Sequence, residues 1–359
     1  MMKASYDLIG VGLVAVDILW ITPPGARMGE KNNTPQMILQ GGAPAGSGTC
    51  GPAMLGYQTG FLARLGDNVL SRIAREEFAA RGVRSSLFVD APGAEPALAL
   101  VQIDPKTAER TVYYNLTRYQ PLRAGDLSVK MLRDTRALLL DSFEMAATLA
   151  ALDMVAGTPV RTILDLEHGD PVLIRQAIAA ATDSILPWGL AEELTGKNDP
   201  GAALAILRTW TNGNLLVTDG VRGSWACDGQ GIRHQPAFQV CAVDSTGCGD
   251  AYHGGYVVGV LEGWNLGMRM EFGAWMAAEV AKTLGGRTNL PSNQDLAKRN
   301  TDMLTSATRA AVRQLIAKTT STSSLPTGQE LASRKTDLLS PATRTPMRIL
   351  SATSSSSTL

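Results

Sequence analysis

The chain has 359 residues, of which 45% are hydrophobic and 18% charged, and its 33 basic and 33 acidic side chains leave no formal net charge. That length buries enough core for one large α/β domain or two smaller ones, and the neutral balance removes any global electrostatic case for nucleic acid or an anionic membrane as partner. No run of about 18 apolar residues is present to span a bilayer. Four cysteines (Cys50, Cys227, Cys241, Cys248) show neither Cys-x-x-Cys nor zinc spacing, which reads as reduced thiols in a cytoplasm. The start, Met-Met-Lys-Ala-Ser-Tyr-Asp, lacks the apolar run of a signal peptide.

Leu8–Val14 reads as a buried first strand running into a glycine-permitted turn at Gly12. Asp17 follows among apolar neighbours, where composition alone suggests a capping or turn aspartate. Residues 22–40 contain Pro23-Pro24-Gly25 and form a loop leading to a short strand near Met37–Leu39. The stretch Gly41-Gly42-Ala43-Pro44-Ala45-Gly46-Ser47-Gly48 is too glycine-rich for a strand, and small residues continue from it at helical spacing to Leu55. A helix is expected from Ile73 to about Val83, with Gly82 at its C-terminal cap. Ala97–Ile103 and Arg110–Leu116 read as a hairpin joined by Asp104-Pro105-Lys106-Thr107.

From Leu127 helix and strand alternate. Ala137–Leu140, Thr162–Leu166, Ile185-Leu186 and Leu215–Thr218 are expected as buried parallel strands, with covering helices at Ala147–Ala156, Leu173–Ala181 and Ala202–Thr211. This alternation implies a doubly wound sheet that binds ligands at its strand C-terminal ends, where Asp141, Asp165 and Glu167 fall. Each of these carboxylates is a candidate for ligand, metal or simple cap. Thr218-Asp219-Gly220-Val221-Arg222-Gly223 follows a strand and is either a phosphate-binding loop or a β-turn with two glycines. Arg222 reads more readily as an exposed turn arginine than as a phosphate ligand.

The most informative stretch is Val243-Asp244-Ser245-Thr246-Gly247-Cys248-Gly249-Asp250-Ala251-Tyr252-His253-Gly254-Gly255. Its glycines suggest a tight turn opening a helix, with the N–H groups of Gly247, Cys248 and Gly249 converging on one spot. A helix N-terminus has unpaired donors and a positive dipole end, which suits a phosphate or a developing anion. A carboxylate beside such a hole is repelled by the anion, so Asp250 is better suited to taking a proton from an attacking hydroxyl. His253, one turn on, is expected to pack or hydrogen-bond rather than catalyse. His168 and His234 lack partner histidines at ligand spacing, so no transition-metal site is expected. Helices are expected at Tyr256–Leu261, Glu271–Leu284 and 297–315. From Thr319 the chain is rich in Ser, Thr and Pro, a composition that favours disorder.

The string Asp244-Ser245-Thr246-Gly247-Cys248-Gly249-Asp250-Ala251-Tyr252-His253-Gly254-Gly255 closely resembles the C-terminal signature of the ribokinase-like (PfkB) carbohydrate kinases. Gly41-Gly42 onward, through Leu55-Gly56 to Arg64-Leu65-Gly66-Asp67-Asn68, resembles the family's N-terminal signature. The resemblance covers roughly residues 5–292. It implies an α/β fold with a ribokinase-like doubly wound central sheet flanked by helices and a small β-strand lid. Residues 1–22, 41–94 and 119–292 would form the kinase core, and 23–40 and 95–118 the lid, which in the family often makes a dimer contact. Residues 293–359 would be a C-terminal extension, largely disordered. The implied reaction is ATP- and Mg2+-dependent phosphorylation of a primary hydroxyl on a small sugar. In it Asp250 is the base, Gly247, Cys248 and Gly249 form the anion hole, Asp17, Gly41, Gly42 and Gly46 hold the sugar, and Thr218, Gly220, Gly223 and Thr246 hold the nucleotide. Ala277-Ala278 through Gly285-Gly286-Arg287 would flank the adenine.

Two departures stand out. The family's usual asparagine falls at Gly46, which removes a side-chain hydrogen bond to the sugar. The metal-organising Asn-x-x-Glu falls at Pro187 and Leu190, which cannot ligate a cation, so the metal ligands stay unassigned. Thr211-Asn212-Gly213, His234–Phe238, Gly189-Leu190-Ala191 and Asp250-Ala251-Tyr252-His253-Gly254 look closest to the 6-deoxy-6-sulfofructose kinase branch, yet no arginine follows Leu138–Leu140 to meet a sulfonate. A ketose, ribose or a deoxy-keto acid remain open as acceptors. A nucleoside kinase of the same fold and a catalytically lapsed sugar-binding protein are the alternatives.

Overall fold

The computed structural model describes residues 4–228 and 231–319. Strand β1 (Tyr6–Val11) is followed by β2 (Ala15–Ile21), β3 (Met37–Gly42) and helix α1 (Pro44–Met54). Next come β4 (Thr59–Leu62), β5 (Arg64–Leu65), α2 (Val69–Ala80), β6 (Val89–Asp90), β7 (Ala97–Ile103) and β8 (Arg110–Asn115). Helix and strand then alternate through α3 (Val129–Arg133), β9 (Thr135–Asp141), α4 (Met145–Val155), β10 (Arg161–Asp165), α5 (Pro171–Ala180) and β11 (Asp183–Pro187). Helices α6 (Trp188–Thr195) and α7 (Pro200–Leu207) lead to β12 (Asn214–Thr218), β13 (Ser224–Cys227) and β14 (Ile232–Gln235). Helices α8 (Cys248–Leu261), α9 (Leu266–Val280), α10 (Asn293–Lys298) and α11 (Ser306–Thr319) close the described chain.

The central sheet has eight strands in the order β14-β13-β12-β11-β10-β9-β1-β4. From β12 to β4 all neighbours are parallel, and β13 and β14 add an antiparallel edge. A parallel sheet covered on both sides needs apolar residues on both faces, and alternate positions are divided accordingly. Leu8, Leu139, Ile163, Ile185 and Leu216 pack with α1, α8 and α9. Ile9, Leu138, Leu140, Leu164 and Leu215 pack with α4, α5, α6 and α7. The chain leaves β1 for β4 on one side and later returns to β9 on the other. Strand order therefore reverses between β1 and β9, the kind of switch point beside which α/β proteins bind ligands.

A second sheet, β3-β2-β7-β8, forms the lid. Its register sets Asp17 opposite Gln40 on β3 and Ala99 on β7, with Ala99 opposite Tyr114 on β8. Leu19, Ala99, Val101 and Ile103 pack on Leu284 beyond α9, which seats the lid on the core. Three expectations are corrected here. Gly41 and Gly42 end strand β3, paired with Val16 and Ala15, and are not loop. Asp17 lies on a lid strand although residues 1–22 were expected in the core. Residues 293–319 are folded onto the core, because Leu296, Val312 and Leu315 are buried in it and Glu271 of α9 accepts hydrogen bonds from Thr305 and Thr308 at the start of α11. The Ser/Thr-rich tail from residue 320, expected to be disordered, lies outside the described residues.

Candidate active site

Helix α8 starts where the sequence places a turn. Gly247 is its N-cap with φ +73°, and a Cβ there would stand 2.4 Å from Gly286 Cα, so both the backbone region and the close approach require glycine. The turn is stapled by Asp244, a fully buried carboxylate that accepts from Thr246 N at 2.7 Å and from Gly285 N at 2.8 Å. The hole differs slightly from expectation. Cys248 N already donates to Ser245 O at 3.3 Å, while the Gly247 and Gly249 N–H groups have no acceptor among the described residues. The Cys248 thiol is pushed up to about 12 by burial, so it stays neutral and is no nucleophile at physiological pH.

A cavity of about 260 Å³ opens beside this turn. Thr218, Gly220 and Gly223 line one wall, Cys248 and Gly249 another, and Val240, Ala277, Ala278 and Ala281 supply an apolar floor. The structure thus brings the sequence-predicted nucleotide loop and the anion hole together. Gly223 is fixed by geometry, with φ +94° and a Cβ position 2.1 Å from Gln235 O. Thr246 does not line this cavity; its Oγ1 is buried without a hydrogen-bond partner. Arg222 pairs with Asp219 and stacks on Trp188 at 6.0 Å, the turn arginine the sequence suggested.

Asp17, Gly41, Gly42 and Gly46 gather around Arg287: a Cβ at Gly41 would stand 2.2 Å from its Nη1, one at Gly46 3.0 Å from its Nη2, and one at Gly42 2.0 Å from Asp17 Oδ2. Asp17 is 9% exposed, and burial raises its pKa to about 7; the Arg287 cation offsets part of this and the charge of Asp250 adds to it. Asp250 itself is half-buried. Burial raises its pKa, while Arg110, Arg287 and a hydrogen bond from Ser47 pull it back down. A carboxylate with its basicity raised and its charge steadied by two cations is suited to accepting a proton from a hydroxyl.

Two cations that sequence reasoning did not assign to Asp250 act on it. Arg110 reaches from lid strand β8 to Ser245 O and Oγ at 3.4 and 3.3 Å, and the period-2 register that puts it on the Asp17 face could have pointed to it. Arg287 was expected beside the adenine with Gly285 and Gly286. Its guanidinium instead bonds Gly42 O and Ser47 Oγ. Of the other candidate carboxylates, Asp141 has a structural role, Asp165 Oδ2 is buried without a hydrogen-bond partner, and Glu167 is raised to about 7 by burial and the Asp250 charge, with Arg110 opposing. Asp141 accepts from Leu13 N and Glu144 N, and Asp165 lies 3.4 Å from His253 Nδ1. His253 also bonds Gly249 O at 2.8 Å, and burial lowers its pKa to about 4, so it is neutral and serves packing. Pro187 caps α6 and Leu190 is 4% exposed in the apolar core, so the metal-organising frame has become packing.

A family model, described as pfkB family carbohydrate kinase, matches residues 40–293. Among curated proteins the chain is 26% identical over 315 residues to a 5-dehydro-2-deoxygluconokinase of Clostridium perfringens, covering 81% of this chain and 91% of that protein. It is 25% identical to one of Lacticaseibacillus casei, covering 82% and 95%. Among solved structures, Arabidopsis thaliana ribokinase complexed with ribose and ATP superimposes with a TM-score of 0.69 at 18% identity, over 87% of this chain and 99% of that one. Ribokinase from Thermotoga maritima gives 0.68 at 18%, over 82% and 98%. A lid sheet, a reversed strand order, a glycine turn opening α8 and its neighbouring carboxylate therefore agree with the match across most of the chain: it belongs to the pfkB family of carbohydrate kinases.

Proposed function

We propose that the protein transfers the γ-phosphoryl group of ATP to a primary hydroxyl of a small keto sugar or keto sugar acid, with Asp250 as the base. One observation carries the assignment: Asp250 lies in the first turn of α8, next to Gly249, which lines the cavity with Thr218, Gly220 and Gly223, and its charge acts on the lid carboxylate Asp17. The names of the curated relatives favour a keto sugar acid over ribose as acceptor.

In this reading ATP lies along Thr218, Gly220 and Gly223, with its adenine over Ala277 and Ala278. Asp17 and the backbone at Gly41, Gly42 and Gly46 hold the sugar, since a carboxylate accepts two hydroxyl protons at once. Asp250 takes the hydroxyl proton, the freed oxygen attacks the γ-phosphorus, and the bond to the β–γ bridging oxygen breaks to release ADP. The Gly247 and Gly249 N–H groups stabilise the charge on the transferring group, with Thr246 beside them. Among the described residues no three His, Cys, Asp or Glu side chains are arranged to hold a metal ion; magnesium would arrive on the nucleotide and neutralise its phosphates. Arg110, tying the lid to Ser245, keeps water from competing as acceptor. The outer lid face, with Leu100 and Tyr113 exposed, supports a homodimer through the lid. Four cysteines without disulfides fit a cytoplasmic setting, and no described helix is long and apolar enough to cross a membrane.

A coupled ADP-release assay over sugars, sugar acids and nucleosides, with Asp250→Asn alongside, tests the reading. The variant is expected to lose about 10³-fold in kcat while binding MgATP within about threefold of wild type. Preference for a nucleoside would move the assignment within the fold. Wild-type protein that binds a sugar but never consumes ATP would mark a lapsed enzyme.

A further inference from the structure

Arg287 is 1% exposed, a charge placed where desolvation is expensive. Its Nε donates to Ser47 Oγ at 3.0 Å and its Nη2 to Gly42 O at 2.5 Å, and the guanidinium lies 4.8 Å over the Phe78 ring. Its main-chain N–H donates to Gln40 Oε1 at 2.8 Å, and its carbonyl accepts from Arg81 Nη2 at 3.5 Å. Nη1 has no hydrogen-bond acceptor and packs against Gly41. So many contacts on a residue between two glycines and a threonine call for a reason beyond chain packing.

The space it fills supplies one. A Cβ on Gly46 would stand 3.0 Å from Nη2. The guanidinium thus occupies the volume a longer side chain at position 46 would enter, the position where the family signature carries asparagine. The contacts also continue toward the chemistry. Ser47, whose Oγ accepts from Nε, is also the hydroxyl that pulls the Asp250 pKa down. The charged and titratable groups around the cluster are Asp17 of β2, Cys50 of α1, Glu77 of α2 and Arg81 at its C-cap, Arg110 of β8 and Asp250 of α8. Arg287 is the cation that faces both Asp17 and Asp250.

We propose that Arg287 is a positioning residue for phosphoryl transfer: it takes the place of the side chain missing at position 46 and, through Ser47, aims the Asp250 carboxylate at the acceptor hydroxyl. The proposal rests on Asp250 being the base. It makes Gly46 and Arg287 one unit, so that neither can change alone. A carboxamide added at 46 meets the guanidinium, and a guanidinium removed at 287 leaves a void under Gly42 and a free Ser47.

The test compares Gly46→Asn, Arg287→Ala, the double variant and Ser47→Ala. Each single change at 46 or 287 is expected to lower kcat/KM for the sugar by about 30-fold or more, with MgATP affinity within about threefold. The double variant should recover roughly tenfold over Arg287→Ala, because asparagine refills the site. Ser47→Ala leaves the guanidinium packed and should raise the acid limb of the pH–kcat profile by about one unit. A double variant no more active than Arg287→Ala, or an unchanged acid limb in Ser47→Ala, overturns the proposal. Should Arg287→Ala not fold, Ser47→Ala decides alone. Should the wild type phosphorylate no sugar, the kinase reading fails separately. The 13C NMR titration of the Asp250 carboxyl then still reads the relay, as an upward shift in Ser47→Ala if it exists and none if it does not.

Discussion

Asp17 ionises near 3.8 in the unfolded chain and near 7 in the fold, chiefly because burial strips water from its carboxylate. Between those values the folded protein holds a proton that the unfolded chain has lost, so stability falls as pH rises through that window. Above it the full penalty stands, and the Arg287 cation offsets only part. Asp17→Asn is therefore expected to raise Tm by roughly 2 °C or more at about pH 8 and by little at about pH 4. The same change should lower kcat/KM for the sugar by about 100-fold, through lost hydroxyl contacts. Thermal denaturation at the two pH values checks the first outcome; equal Tm changes at both would refute the burial argument. Asp17 was singled out because the family resemblance names an aspartate at that place. Arg287 was not legible, because its contacts are with residues some 240 positions away in sequence, and a string of residues carries no distance of that kind.

The lid is tied to the turn before α8 at two points of its β7–β8 hairpin: Ser245 N donates to Ala108 O at 3.0 Å, and Arg110 reaches the Ser245 carbonyl and hydroxyl. Arg110→Ala leaves the sheet intact but removes the side-chain tie. It is expected to lower sugar phosphorylation by about tenfold and to raise the share of ATP lost to water, measured as ADP released per sugar phosphate formed. An unchanged ratio would show that the hairpin backbone suffices. The packing of α6 allows a different kind of prediction. Leu190 is buried against the neighbouring helices, so Leu190→Glu combined with Pro187→Asn would not rebuild a metal frame. It would bury a carboxylate in an apolar layer, costing about 3 kcal/mol, visible as a fall in Tm with no gain in magnesium affinity. Strands and helices of the alternating half were legible from their apolar runs. Gly41 and Gly42 were misread because glycine disfavours strands on propensity, whereas here the close approach of Asp17 and Arg287 excludes any side chain.

The lid presents its other face outward. Register places Met37 opposite Trp20, and Leu39, Ile18, Leu100 and Tyr113 in one row across all four strands. Leu100 and Tyr113 are 41% and 59% exposed, and β3 and β8 are open edges. A contiguous apolar row on a sheet with two free edges invites a like surface, and burying it would bring two lids together while leaving both cavities facing away. The two active sites would then share a stiffened cover, since the face holding Asp17 and the face making the contact belong to the same four strands. Leu100→Glu puts a charge in the middle of the row without touching the Asp17 face. Sedimentation equilibrium of the wild type is expected to give about twice the 38.0 kDa chain mass, and of Leu100→Glu the single-chain mass. Because the unpaired lid would be looser, the variant should also need more sugar for half-maximal rate, by about threefold or more, with kcat less affected. A wild type that sediments as a single chain removes the dimer, and a monomeric variant with an unchanged sugar requirement breaks the link between assembly and the lid.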